Sequence, residues 1–105
     1  MSETLTRLAA TIAARRGVDP ASSYTASLLA RGTGKAAEKF GEEAVEAIVA
    51  AASGDRDGLR AEAADVLYHL MVLLTAAGVT LEEVEAELEK REGTSGHAEK
   101  AARGK

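Results

Sequence analysis

Two acidic pairs constrain this chain more than any other feature. Glu43 and Glu46 form E-x-x-E, Glu62 and Asp65 form E-x-x-D, and the 15 residues Ala47 to Ala61 separate them. Each pair interrupts a stretch rich in Ala, Val, Leu and Ile, so neither reads as an ordinary solvated face. Ser53-Gly54-Asp55 lies midway: the first pair stands 7–10 residues before it and the second 7–10 after it. Two helices running antiparallel from that turn bring the pairs level with each other. Carboxylates gathered among apolar helices are costly unless a cation compensates them. An all-oxygen ligand set of this kind suits Mg²⁺, with Mn²⁺ as a substitute, better than Zn²⁺.

The rest of the chain reads as helix. Leu5, Leu8, Ala9, Ile12 and Ala13 repeat at helical spacing over Glu3 to Arg16, with Gly17 as the stop. Asp19-Pro20 turns the chain, and a short helix from Ser23 to Ala30 follows, with Ser22 or Ser23 as its cap. Gly32 and Gly34 suggest a loop or hinge before a longer helix over Lys35 to Ala52. Gly41 inside that helix costs about 1 kcal/mol relative to Ala, which suggests close packing or close approach of a ligand. The next helix runs from Asp57 to Ala77, with Leu59, Val66, Leu67, Leu70, Met71, Leu73 and Leu74 as its core, and Gly78 ends it. Thr80 opens the last helix through a capping box with Glu83, and Leu81, Val84 and Leu88 form its inner stripe. No strand signal competes. The expectation is an all-α antiparallel helical bundle over residues 1–92, followed by a polar C-terminal tail over 93–105.

At 105 residues the chain holds one small core. Its aromatics are Phe40, Tyr24 and Tyr68 alone, so aliphatic residues and alanine must build that core. A domain of this size buries about 60–70% of its unfolded surface, and a homodimer that completes the core is the expected state. A net charge of −4 with dispersed basic residues argues against a nucleic-acid surface. The chain has no cysteine, which excludes disulfides, thiolate metal sites and a cysteine nucleophile. Apolar runs fall short of the roughly 20 residues a membrane span needs, and residues 1–10 lack a signal pattern. A soluble cytoplasmic protein is expected.

A helix advances about 100° per residue, which places Glu38, Glu42 and Glu46 along one flank of the long helix with Lys35 and Lys39 beside them. Glu62, Asp65 and His69 share a stripe on the next helix. Carboxylates so placed would hold one or two Mg²⁺ ions, and one left free of metal would act as general base. Lys35 and Lys39 would neutralise polyphosphate oxygens. The chemistry suggested is metal-assisted hydrolysis of a phosphoanhydride. Taken singly, the same residues have simpler readings. Lys39 and Glu43 have the spacing of a surface ion pair. His69 reads as a hydrogen-bonded interior histidine rather than a ligand, and it has no second histidine at helical spacing.

The paired carboxylates resemble the signature of the all-α, MazG-like nucleoside triphosphate pyrophosphohydrolases. Three stretches carry a closer resemblance to the phosphoribosyl-ATP pyrophosphatases of histidine biosynthesis: Ser23-Tyr24-Thr25-Ala26-Ser27-Leu28-Leu29, Lys39-Phe40-Gly41-Glu42-Glu43-Ala44-Val45-Glu46, and Glu62-Ala63-Ala64-Asp65-Val66-Leu67-Tyr68-His69-Leu70. It is the Ser23-Tyr24-Thr25 segment, with the tail, that makes this narrower assignment. Arg91-Glu92-Gly93-Thr94-Ser95-Gly96, with Glu99-Lys100-Ala101 and Arg103, is similar to that family's tail. The resemblance implies Mg²⁺-dependent hydrolysis of phosphoribosyl-ATP to phosphoribosyl-AMP and pyrophosphate, by a homodimer. It implies that Glu43, Glu46, Glu62 and Asp65 bind metal, with Glu42 as a further ligand or base. It implies phosphate contacts from Lys35 and Lys39, and substrate contacts from Ser23, Tyr24, Thr25, Ser95, Lys100 and Arg103. Two rivals remain at this level: a housecleaning pyrophosphatase of damaged or surplus nucleotides, and a non-catalytic helical interaction module.

Overall fold

A computed structural model describes residues 2–92 of the chain. These form five α-helices: α1 (Glu3–Ala13), α2 (Tyr24–Arg31), α3 (Thr33–Ala52), α4 (Arg56–Ala77) and α5 (Leu81–Arg91), with a 3₁₀ turn at Pro20–Ser22 ahead of α2. No strand occurs among the described residues, so the fold is all-α as expected. The tail expected over 93–105 lies outside the described residues.

The α3–α4 hairpin is the frame, and its two helices form the most extensive pairing in the molecule. Asp55 sets its geometry. Its side chain accepts a hydrogen bond from the Gly58 amide at 2.8 Å, which caps α4 straight out of the connection. Helix α4 therefore begins at Arg56, one residue earlier than expected. A Cβ at Gly58 would fall 2.2 Å from the Asp55 carboxylate, so the missing side chain is what lets this cap close.

Helix α1 packs on α4, and α2 packs on both α3 and α4. The buried centre is Ile12, Leu28, Ala36, Met71 and Val72, with Leu5, Leu8, Ala9, Leu29, Tyr68, Leu73, Ala76 and Leu81 packed around it. The stripe expected on α1 is the one buried, but the helix stops at Ala13 rather than Arg16. Arg15 and Arg16 bond back to Ile12 and Ala13, an i−3 pattern that tightens the last turn. The Arg16 guanidinium then donates to the Thr75 carbonyl at 2.6 Å, tying that turn to the end of α4.

Three expectations are corrected. The Gly32–Gly34 loop is a single-residue bend: Gly32, at φ 91°, turns the chain alone, and α3 begins at Thr33 with Gly34 inside it. Gly41 is exposed, and nothing lies within 4 Å of where its Cβ would be, so no tight packing explains it. Leu59 and Leu67 are 36% and 44% exposed, and Val72 takes the core position on α4 instead. Their exposure belongs to a wider pattern. On α3, Val45, Ile48 and Val49 form an i, i+3, i+4 stripe that is 57–65% exposed. Leu59 and Leu67, eight residues apart, are the exposed leucines of α4. Helix α5 opens through the expected Thr80–Glu83 capping box. Leu88 on its inner stripe is 49% exposed. No single helix among the described residues is long and apolar enough to cross a membrane.

Candidate active site

Near the middle of the hairpin, α3 and α4 bring their carboxylates together. Glu43, Glu62 and Asp65 each present one oxygen, and these oxygens all lie within 4.8 Å of one another. The arrangement follows from the sequence spacing, with Glu43 one side of the turn and Glu62 and Asp65 the other. Glu46 stands beside Glu62 and is its strongest like-charged neighbour.

Glu62 carries the strain of this arrangement. One of its oxygens, Oε1, is buried without a hydrogen-bond partner. Its carboxyl is held above the usual range first by burial and then by the charges of Glu46, Glu43 and Asp65. Buried carboxylate oxygens are normally paired. A carboxylate with one orphaned oxygen, crowded by three further carboxylates, fits a hard divalent cation, which needs oxygen ligands and would cancel the repulsion. On this observation the residues present fit Mg²⁺ or Mn²⁺. Among the described residues, no histidine or cysteine joins the group.

Glu42 lies outside the cluster. Its Oε1 is 2.9 Å from the Lys39 ammonium, which holds the Glu42 carboxyl below its usual range and the Lys39 ammonium above its own. Lys39 thus pairs with Glu42 at i+3 and not with Glu43 at i+4, because Glu43 is turned toward α4. Lys35 makes the corresponding contact with Glu38 at 3.4 Å. Both lysines keep more than a quarter of their side-chain surface open to solvent.

The Ser23–Thr25 segment is the first turn of α2. The Ser23 hydroxyl caps the helix by accepting from the Ala26 amide. Thr25 shares a hydrogen bond with the Tyr68 hydroxyl. Tyr24 is 53% exposed, its ring lies over that of Tyr68, and its hydroxyl meets His69. Lys39, Glu43 and Glu42 are its charged neighbours, and burial of the hydroxyl is the main cause that raises it above the usual tyrosine range. Ser95, Lys100 and Arg103 lie outside the described residues.

His69 is buried, and both ring nitrogens have partners: Nδ1 at 2.8 Å from the Asp65 carbonyl and Nε2 at 3.1 Å from the Tyr24 hydroxyl. The interior reading holds, and the acidic stripe of α4 ends at Asp65. Tyr68 is the residue that sequence reasoning left without a role. Its signal was its place beside His69 on α4 in a chain with so few aromatic rings.

A helical hairpin holding a partly buried carboxylate cluster beside two half-buried lysines is an arrangement suited to an acidic hydrolase site. The family model for phosphoribosyl-ATP pyrophosphohydrolase matches residues 5–92, which include every one of these positions. The chain is 72% identical over 100 residues to a phosphoribosyl-ATP pyrophosphatase of Cereibacter sphaeroides (strain KD131), covering 95% of this chain and 97% of the relative. It is 67% identical over 100 residues to that of Rhodobacter capsulatus, with the same coverage. It is 61% identical over 105 residues to that of Rhizorhabdus wittichii, covering 100% of this chain and 99% of the relative. The chain belongs to the phosphoribosyl-ATP pyrophosphohydrolase family and is a hydrolase.

Proposed function

We propose that this protein hydrolyses phosphoribosyl-ATP to phosphoribosyl-AMP and pyrophosphate, a step of histidine biosynthesis, in a reaction that depends on Mg²⁺. The substrate follows from the names of its relatives. The metal dependence rests on one observation, the unpartnered buried oxygen of Glu62 inside a cluster of acids.

Glu43, Glu62 and Asp65 would hold the ion. When bound, it would polarise phosphoryl oxygens and make water a stronger nucleophile near neutral pH. Glu46, beside Glu62 and outside the three mutually close ligands, completes the ligand set or, if left free, takes the proton from the attacking water. Glu42 reaches the centre as a base only by leaving Lys39. The α–β phosphoanhydride bond breaks as water adds, one product keeping the α-phosphate and the other leaving as pyrophosphate. Lys35 and Lys39 bind the polyphosphate by exchanging their intrahelical carboxylates for phosphate oxygens. Exposed pairs of this kind are weak, so the exchange is easy. The first turn of α2, with Tyr24 and Thr25, faces the nucleoside part of the substrate, and Ser95, Lys100 and Arg103 add contacts from the tail.

The working form is a homodimer. The exposed apolar stripe of Val45, Ile48 and Val49 on α3, with the exposed Leu59 and Leu67 on α4, supports this reading, since an apolar patch left in water marks an interaction surface.

Purified protein incubated with phosphoribosyl-ATP and Mg²⁺ should release pyrophosphate, and chelation or Glu46→Ala should abolish the release. Turnover no higher than that of Glu46→Ala would reject the activity. Equal turnover of free nucleoside triphosphates would point to a housecleaning enzyme instead. Full turnover in the presence of chelator would reject the metal.

A further inference from the structure

A buried imidazole is costly unless both nitrogens are satisfied, and the two partners of His69 come from two different functional segments. Nδ1 faces the Asp65 backbone carbonyl at 2.8 Å. A carbonyl only accepts, so Nδ1 carries the proton. In the neutral ring Nε2 therefore presents a lone pair, and the Tyr24 hydroxyl, 3.1 Å away, must donate to it. The single proton of Tyr24 is thereby committed. Whatever else its oxygen meets, it meets as an acceptor. That oxygen has Lys39, Glu43 and Glu42 as its charged neighbours.

The neighbouring contacts reinforce the geometry. Tyr68 stands edge-on to His69 with ring centroids 4.9 Å apart, and lies over Tyr24 at 6.4 Å and 21°. The Tyr68 hydroxyl also bonds Thr25. Two adjacent side chains of α4 thus grip two adjacent side chains of α2, one turn beyond the Asp65 carboxylate.

We propose that His69 is a positioning residue for the hydrolysis. It sets Tyr24 as an acceptor-only contact and clamps the first turn of α2 to the ligand-bearing turn of α4. A phosphate oxygen has no proton to offer such a contact. Tyr24 therefore takes a hydrogen-bond donor of the nucleoside part, a sugar hydroxyl or base amino group, and leaves the phosphates to Lys35 and Lys39. The inference rests on the function proposed above.

Two measurements test it. In ¹⁵N-resolved NMR of the metal-free protein at alkaline pH, His69 should show the Nδ1–H tautomer, and Tyr24→Phe should shift the Nε2 resonance alone. In steady-state kinetics with phosphoribosyl-ATP, Tyr24→Phe should raise KM about tenfold with kcat nearly unchanged, the range expected when a hydrogen bond of an outer partner is lost. His69→Leu should reproduce that loss, the double variant should be no worse than either single one, and His69→Gln, which keeps an acceptor, should recover most of it. An Nε2–H tautomer, or an unchanged KM in Tyr24→Phe beside an active wild type, would overturn the proposal. Should His69→Leu fail to fold, the exposed Tyr24 substitution decides. A wild type inactive on phosphoribosyl-ATP would instead sink the function itself, and the tautomer measurement would still rule on the clamp.

Discussion

Lys39 and Glu42 pair at 2.9 Å across three residues of α3, while Glu43, the next residue, faces Glu62 and Asp65 across the hairpin. Adjacent glutamates thereby divide two tasks: one pairs with the Lys39 ammonium, the other joins the acid cluster. If Lys39 binds the polyphosphate, Lys39→Met should raise KM about 10–100-fold, the worth of a charge-assisted hydrogen bond. Glu42→Gln frees the ammonium and should leave KM unchanged or lower. Initial-rate kinetics on the two variants separate these outcomes.

Glu62→Gln should lower turnover by at least about 100-fold, as expected when a group at the reacting centre is lost. It should also raise the melting temperature of the metal-free protein, because it removes the charge crowded by burial and by Glu46, Glu43 and Asp65. Mg²⁺ should raise the melting temperature of the wild type and not that of the variant. A variant that melts lower than wild type without metal would show that the cluster is not under repulsive load.

The same residue sets a pH dependence. In the folded chain Glu62 holds its proton to higher pH than it does unfolded. The folded state then binds more protons than the unfolded one, and stability falls as pH rises from the usual glutamate range through the elevated folded value. Glu62→Gln has no proton to lose there. The melting-temperature gap between variant and metal-free wild type should therefore widen with pH across that window and then stay constant. The Mg²⁺-induced shift of the wild type should grow over the same window, because metal and proton compete for the carboxylate.

Ile48→Glu places a charge in the centre of the exposed α3 stripe. Burying an aliphatic side chain of this size contributes about 1.5–3 kcal/mol, so if this face forms the proposed dimer, the charge should leave the protein monomeric at micromolar concentration. Sedimentation velocity reads the result directly. An unchanged mass would remove this face from the interface.

Asp55→Ala removes the cap of α4. Loss of an N-cap costs about 1 kcal/mol, which should lower the melting temperature by about 4–8 °C in a domain of this size. Circular dichroism on heating is sufficient to measure it.

The hairpin and its acid cluster were legible because they rest on regular geometry. The spacing of Glu43, Glu62 and Asp65 about Ser53-Gly54-Asp55 dictates where their side chains meet once both segments are helical. Other features depend on information that spacing does not carry. Lys39 has two carboxylates within reach, and only the demand of α4 on Glu43 decides between them. Leu59 and Leu67 have the pattern of core residues because an apolar stripe looks the same whether it is covered by its own chain or by another. The end of α1 depends on a long-range bond from Arg16 to Thr75, and the Tyr24–His69–Asp65 chain depends on how α2 crosses α4. Neither has a local signature.

All four carboxylates lie within the 23 residues Glu43 to Asp65, on two consecutive helices joined by a three-residue link. Such a centre has low contact order, and topologies dominated by local contacts form fast. On that ground the like charges are expected to confront one another early in folding, ahead of the longer-range docking of α1 on α4. A divalent ion present at that moment should speed the collapse of the hairpin as well as stabilise its final state.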